Sequence, residues 1–275
     1  MTGLELHHEL RALHAVSEPS VDRVVAGNPN VTIDGIAVVW TPTWDALREA
    51  QRRSCNVVVA HEPTYFAHLE SDGFDVEFPK LPPAARRSVE ETREAKRRWI
   101  EANAMVVIRC HDVLDAMPGG VVDSLAKALG FTERDYLKSD DRHRVVRIEP
   151  AVEARVVAQR LAEAFGTVGQ PGVAFYGDPM RSVGSLGLGT GYACEPWNFV
   201  ELGAQMAVTI DDRIKTWTES EWADDSGYPL VVIHHGTSEE WGVRTLHGLL
   251  ARRHPAIRVE LIEQGFRARW FSARR

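Results

Sequence analysis

Short apolar runs alternate along this chain with longer stretches in which apolar residues recur at helical spacing. The runs predict buried strands at 33–40, 57–61, 105–110, 144–148, 173–176, 206–210, 230–235 and 257–262. Helices are predicted at 4–16, 44–53, 82–103, 120–129, 151–165, 196–202 and 243–252. This alternation is typical of α/β proteins. We expect two related α/β lobes, residues 1–135 and 136–275, with a ligand site between them. The pattern leaves open whether the two lobes are interleaved in sequence.

Local signals define several boundaries. Thr43 is a candidate cap for the helix at 44–53, and Gly130 suits the end of the helix at 120–129. The glycine-rich stretch 182–191 has no Lys-Ser/Thr pair of a phosphate-binding loop, so we favour a tight turn near the functional site over a phosphate cradle. Two stretches of weak periodicity, 70–82 and 211–228, are candidate lids or subunit contacts.

Composition narrows the class of protein. The 275 residues carry a net charge of −7, which argues against a nucleic-acid partner because phosphate binding needs clustered Lys and Arg. The three cysteines are far apart and form no CxxC pair, as expected of reduced thiols. No window has the ~18 apolar residues of a membrane span. We therefore expect a cytoplasmic protein without a membrane partner.

Three of the predicted strands end in His and carboxylate residues. They read VVVAHEP at 57–63, VVIRCHDVLD at 106–115 and LVVIHHGTSEE at 230–240. The carboxyl ends of strands are where open α/β sheets bind ligands, and His with Asp or Glu is the ligand chemistry of Zn, Mn and Fe. A single histidine at a strand end is more often a hydrogen-bonded structural residue than a ligand. Three such ends on three strands favour a metal site.

The order and spacing of these motifs resemble the NIF-three-like dinuclear metal proteins, many of which bear the name GTP cyclohydrolase I type 2. The resemblance runs from about residue 30 to the end of the chain. The matching motifs are Gly35-Ile36-Ala37, His61-Glu62-Pro63, His111-x-x-x-Asp115 with Pro118-Gly119-Gly120, and His235-x-x-x-Glu239 with Gly242-Val243.

The resemblance implies a dinuclear site with two divalent ions (Zn, Mn or Fe) and Asp115 as the bridging carboxylate. Glu62 stands where most of the family has a second histidine. A carboxylate at this position favours harder ions, and a branch of the family shares it in a His-Glu-Pro-Thr motif. The resemblance further implies a homo-oligomer, commonly a hexamer, and the chain is too short for the domain that some members insert. The implied metal ligands are His61, Glu62, Asp115, His235 and Glu239, with His111 either a further ligand or a neighbour of the metal ions.

Two functions follow from this reading. The first is a metal-dependent hydrolase, similar to GTP cyclohydrolase type 2, that acts on a small polar substrate with a nucleotide or amide-like bond through a metal-activated water. Glu62 and Glu239 are its candidate catalytic bases. The alternative is a non-catalytic metal-binding scaffold or regulator that acts through partner contacts, because fold and metal site do not fix activity. Structural zinc sites prefer Cys ligands, which favours the enzyme.

Overall fold

The α/β architecture predicted from the sequence is confirmed. The computed structural model describes residues 1–67, 81–189 and 191–271, so the predicted lid or subunit contact at 70–82 lies outside the described residues except for its last two. The chain forms two compact units, Met1–Met117 with Val243–Glu263, and Pro118–Gly242 with Gln264–Arg275. These units are interleaved in sequence, and the second begins at Pro118, whereas the sequence analysis drew its boundary between residues 135 and 136.

The first unit is built on a five-stranded sheet with the order β1-β4-β3-β2-β11. Strands β2, β3, β4 and β11 are parallel, and β1 pairs antiparallel with β4. All residues of β2, β3 and β4 are buried, which explains why these strands are apolar except for the buried Arg109 at the end of β4. The elements are α1 (Gly3–Arg11), β1 (Val24–Ala26), β2 (Gly35–Val39), α2 (Trp44–Arg52), β3 (Val57–Ala60), α3 (Pro83–Ala102), β4 (Val106–Arg109), α4 (Asp112–Ala116) and β11 (Arg258–Ile262).

The second unit contains a six-stranded sheet with the order β5-β6-β8-β9-β10-β7. Strands β8, β9 and β10 are parallel, and the remaining pairs are antiparallel. The elements are α5 (Val121–Ala128), β5 (Tyr136–Ser139), β6 (His143–Glu153), α6 (Ala154–Gly166), β7 (Ala174–Tyr176), β8 (Ser182–Gly189), α7 (Pro196–Glu201), β9 (Met206–Ile210), α8 (Glu221–Ser226), β10 (Leu230–Ile233) and α9 (His235–Arg253). The boundary between the units falls inside α9, after Gly242.

Many predicted boundaries are correct to within two residues. Thr43 caps α2, where its hydroxyl accepts a hydrogen bond from the Ala46 N–H at 3.2 Å. Gly130 follows α5 with φ of +88°, a conformation that favours glycine. The stretch 211–228, the second candidate lid or subunit contact, contains short helical turns and α8. No helix among the described residues has both the length and the apolar character needed to cross a bilayer.

The glycine-rich stretch 182–191 was predicted wrongly as a tight turn. Residues Ser182–Gly189 form β8, in the middle of the second sheet. Glycine is needed there because the Phe199 ring lies against the strand, and a Cβ on Gly187 would approach that ring within 2.5 Å. Gly187 and Gly189 therefore accommodate the buried aromatic side chain of Phe199.

The close packing at Gly187 generates a stability prediction. Gly187→Ala should lower the free energy of unfolding by about 1–3 kcal/mol, because the added methyl group forces Phe199 out of its position. Gly166→Ala, at the end of α6 with open space around it, should be neutral or stabilising by up to about 1 kcal/mol. Urea unfolding followed by circular dichroism measures both. Equal stabilities of the two variants would contradict the packing described here.

Candidate metal centre

Two parallel strands of the first unit deliver histidines to the same edge of their sheet. His61 directly follows β3, and His111 follows β4 after one residue. Because the strands are neighbours, with Ala60 opposite Arg109, the two chain segments leave the sheet side by side. The rings of His61 and His111 stack with centroids 4.5 Å apart and an interplanar angle of 5°. Strand pairing therefore brings together two residues that are 50 positions apart in the sequence.

Asp115 completes a group of possible metal ligands with these two histidines. Asp115 lies one turn after His111, in α4, and is only 5% exposed. One ligand atom from each of His61, His111 and Asp115 lies within 4.8 Å of the others. His61 Nε2 is 3.6 Å from Asp115 Oδ1, which is too long for a hydrogen bond. Two atoms that share an ion at ~2.1 Å stand roughly 3.5 Å apart, so this spacing suits joint coordination.

Hydrogen bonds fix which nitrogen each histidine presents. His61 Nδ1 lies 3.3 Å from the carbonyl oxygen of Cys110, and His111 Nδ1 lies 3.1 Å from Asp112 Oδ1. A carbonyl or carboxylate oxygen only accepts, so Nδ1 must carry the proton in both rings. The Nε2 lone pair then remains for an ion. Orientation of a ligating histidine through its other nitrogen is the usual arrangement at protein metal sites.

Glu62 is the fourth predicted ligand in the first unit. It is buried, with its Oε1 3.9 Å from His111 Nε2. The carboxylates of Glu62, Asp115 and Asp112 affect the titration of His111. Burial by itself lowers the pKa of His111, but the nearby carboxylates, Asp115 foremost, outweigh burial, and the net pKa is raised. The site therefore attracts positive charge.

Asp22 and Asp112 support this group and were missed by the sequence analysis. The buried Asp22 carboxylate accepts hydrogen bonds from the backbone N–H groups of His111, Asp112 and Val113, the last two at 3.1 and 2.8 Å, and so caps α4. Asp112 accepts from the Ser20 hydroxyl at 2.9 Å. Although burial tends to raise the pKa of Asp112, its hydrogen bonds, led by that from His111, hold the pKa well below the usual value. The Asp22 cap carries no local sequence signal, since it lies about 90 positions before α4.

The second unit holds the other two predicted ligands. His235 Nε2 lies 3.1 Å from Glu239 Oε1, one helical turn along α9, and Glu239 is 1% exposed. His235 Nδ1 lies 2.8 Å from Asp212 Oδ2, so the proton again belongs on Nδ1 and Nε2 faces the carboxylate. This hydrogen bond lowers the pKa of Asp212. The prediction that the strand extends to His235 was wrong, because β10 ends at Ile233 and His235 begins α9.

Gly191 leaves room beside this second pair. Its φ is +38°, and a Cβ at this position would come within 2.5 Å of Glu239 Oε1 and 2.6 Å of His235 Nε2. Any other residue would therefore collide with the two atoms that face each other. Open space in front of nitrogen and carboxylate ligands is what an ion requires, so the donor sets of both units suit Zn, Mn or Fe.

The fold and these residues define an α/β protein whose sheet edges carry grouped histidine and carboxylate side chains that can hold divalent metal ions. The sequence model of the Duf34/NIF3 (NGG1p interacting factor 3) family matches residues 82–265, more than half of the chain. The chain therefore belongs to the Duf34/NIF3 family, as the motif resemblance predicted.

Similar proteins agree with this assignment. The GTP cyclohydrolase 1 type 2 homolog of Clostridium acetobutylicum is 23% identical over 149 residues, which are 52% of this chain and 50% of that relative. The match thus spans about half the length of each protein. A hypothetical protein of Staphylococcus aureus has the same fold, with a TM-score of 0.75 and 17% identity over 99% of both chains. A Bacillus cereus protein related to NIF3 gives a TM-score of 0.73 at 13% identity, also over 99% of both chains.

The cap on α4 generates a prediction about stability. Asp22→Ala should lower the free energy of unfolding by about 1–3 kcal/mol, because three backbone N–H groups lose their common acceptor. Asp22→Asn retains one acceptor oxygen and should lose less. Urea unfolding measures both variants, with Asp34→Ala, an exposed aspartate, as the matched control. The proposed role of Asp22 is refuted if its alanine variant is as stable as that control.

Proposed function

We propose that the protein is a metal-dependent hydrolase that uses two divalent ions and acts on a small polar substrate with a nucleotide or amide-like bond. The observation that carries the proposal is the convergence of the buried His61 and Asp115 with the half-buried His111, with ligand atoms within 4.8 Å of one another. The name of the Clostridium relative, a GTP cyclohydrolase 1 type 2 homolog, supports nucleotides as the first substrates to test.

The proposed ligands are the six residues predicted from the sequence. Asp115 is the proposed bridging ligand, since two ions a few ångströms apart need an anionic oxygen between them to offset their repulsion. Glu62 adds a carboxylate where a histidine would supply a neutral nitrogen, which favours Mn or Fe over Zn. The full set is His61, Glu62, His111, Asp115, His235 and Glu239.

Bound divalent ions would supply Lewis acidity, which polarises a carbonyl and lowers the pKa of water. The protein's own residues must then hold the substrate and accept a proton. Glu239 lies 3.1 Å from its histidine nitrogen, whereas Glu62 lies 3.9 Å from the nearest nitrogen of His111. Because Glu62 lies farther from its histidine, it is the better candidate for the general base in the alternative arrangement in which it is not fully engaged as a metal ligand.

Metal content tests the proposed ligands. Wild-type protein, purified without chelator and reconstituted with Mn, Fe or Zn, should hold about two ions per subunit by elemental analysis. Asp115→Ala and His235→Ala should each reduce this content strongly, because each removes a ligand atom, and Asp34→Ala should leave it unchanged. Near-zero metal in the reconstituted wild type would rule out the dinuclear proposal.

Removal of metal by a chelator distinguishes a catalytic pair of metal ions from the alternative, a scaffold with a structural metal. The elements around His111 are held by protein groups, above all the Asp22 cap on α4, so the fold does not depend on an ion for its local hydrogen bonds. Protein treated with EDTA should therefore keep its far-UV circular dichroism and unfold cooperatively, while hydrolysis of nucleotide or amide substrates is lost. Structural metals behave differently, since their removal unfolds the domain. Loss of cooperative unfolding after chelation would favour the scaffold.

A further inference from the structure

A cavity of about 370 Å³ in the second unit has no role in the proposed metal chemistry. It lies where β7 begins and β10 ends, two strands that pair antiparallel with Val232 opposite Ala174. Its volume falls in the range of small-molecule sites, roughly 300–1,000 Å³. Apolar side chains such as Val173, which directly precedes β7, and Val232 of β10 line it.

Aromatic side chains form much of the remaining wall. His234, Phe266 and Trp270 line the cavity, and the rings of His234 and Phe266 meet edge to face with centroids 5.3 Å apart. Trp270 is 70% exposed. Large aromatic side chains that remain exposed beside a cavity commonly mark a binding surface.

The charged and polar groups in the wall determine which ligand can enter. The amide of Gln170 is engaged within the protein, because its Oε1 accepts from the His234 N–H at 3.1 Å and its Nε2 donates to the Gly172 carbonyl at 2.8 Å. Asp211 contributes a carboxylate, and neither Lys nor Arg is among the described residues that line the cavity. The lining therefore combines aromatic rings with one carboxylate, and the guanidinium of Arg267 acts electrostatically on His234 from outside the lining.

We propose that this cavity binds a small organic cation through a methylated ammonium group. The carboxylate of Asp211 attracts the positive charge, and aromatic faces such as that of Trp270 stabilise a cation that carries an apolar surface. A neutral apolar ligand would remove water from the carboxylate without compensation, and an anion would be repelled. A primary ammonium group has three N–H donors to satisfy, but one carboxylate cannot accept from all of them. Methylation removes that requirement.

The cavity adjoins the second group of candidate ligands through one side chain. Asp211 Oδ1 accepts a hydrogen bond from the His235 N–H at 3.0 Å, so the carboxylate that attracts the cation also holds the first residue of α9. Cation binding needs no metal ion, however. The inference therefore stands independently of the proposed hydrolase function and can fail or succeed separately.

Choline and 3,3-dimethylbutan-1-ol form a matched pair of probes, since the second replaces the ammonium nitrogen by carbon and keeps the shape. Binding to the wild-type protein, treated with chelator or loaded with metal, is measured by ligand-observed NMR and calorimetry. Choline should bind equally to both forms of the protein, and its neutral analogue should bind roughly tenfold more weakly. Equal affinities for the two probes, or no choline binding, would overturn the proposal.

Two variants test the named side chains. Asp211→Asn keeps an oxygen that can accept from the His235 N–H but removes the charge, and Trp270→Ala removes an exposed ring. Each should weaken choline binding by roughly fivefold to tenfold, with little change in the urea midpoint. Trp217→Ala, which removes another exposed tryptophan away from the cavity lining, should bind choline as the wild type does. Unchanged affinity in Asp211→Asn or Trp270→Ala would show that the cation does not bind in this cavity.

Discussion

The candidate centre depends on one constraint, the hydrogen bond that occupies Nδ1 of each predicted histidine ligand. The acceptor is a backbone carbonyl for His61 and an aspartate carboxylate for His111 and His235. In all three this contact orients the ring, and Nε2 is the nitrogen that would face an ion in the proposed function. Without these hydrogen bonds, metal binding would have to restrict the rotation of three side chains. The hydrogen bonds already restrict them, so the entropic cost of forming the site is lower.

The fold supplies that constraint through backbone geometry. Parallel pairing of β3 and β4 places the Cys110 carbonyl next to His61, and the Asp22 cap holds the start of α4, where Asp112 contacts His111. Asp212 performs the corresponding role in the second unit, from the turn that follows β9. In each case the support comes from the residues that leave the carboxyl end of a strand or from a short helix behind it, which is where α/β sheets carry their ligand sites.

The sequence was informative where a pattern is local and repeated. Apolar runs predicted β3, β4 and β9 well, and the predicted histidine ligands lie within two residues of a strand end, with Asp115 and Glu239 one helical turn further on. The supporting carboxylates could not be predicted, because Asp22 acts on residues about 90 positions away and only tertiary structure brings them together. The glycines of β8 misled for a related reason. A glycine can indicate either a turn or the close approach of another group to the backbone. Here the buried ring of Phe199 decides between them, and its packing against β8 cannot be read from the local sequence.

Charge balance gives the strongest physical reason to expect a cation here. Asp115 and Glu239 are almost fully buried, and burying a carboxylate is costly unless a positive charge compensates it. Asp115 Oδ1 lies 3.6 Å from His61 Nε2, and its Oδ2 lies 3.7 Å from His111 Nδ1. The raised pKa of His111 is the response of the protein to this excess negative charge. In the proposed function, a divalent ion would compensate buried carboxylate charge at neutral pH and accept nitrogen and oxygen ligands together.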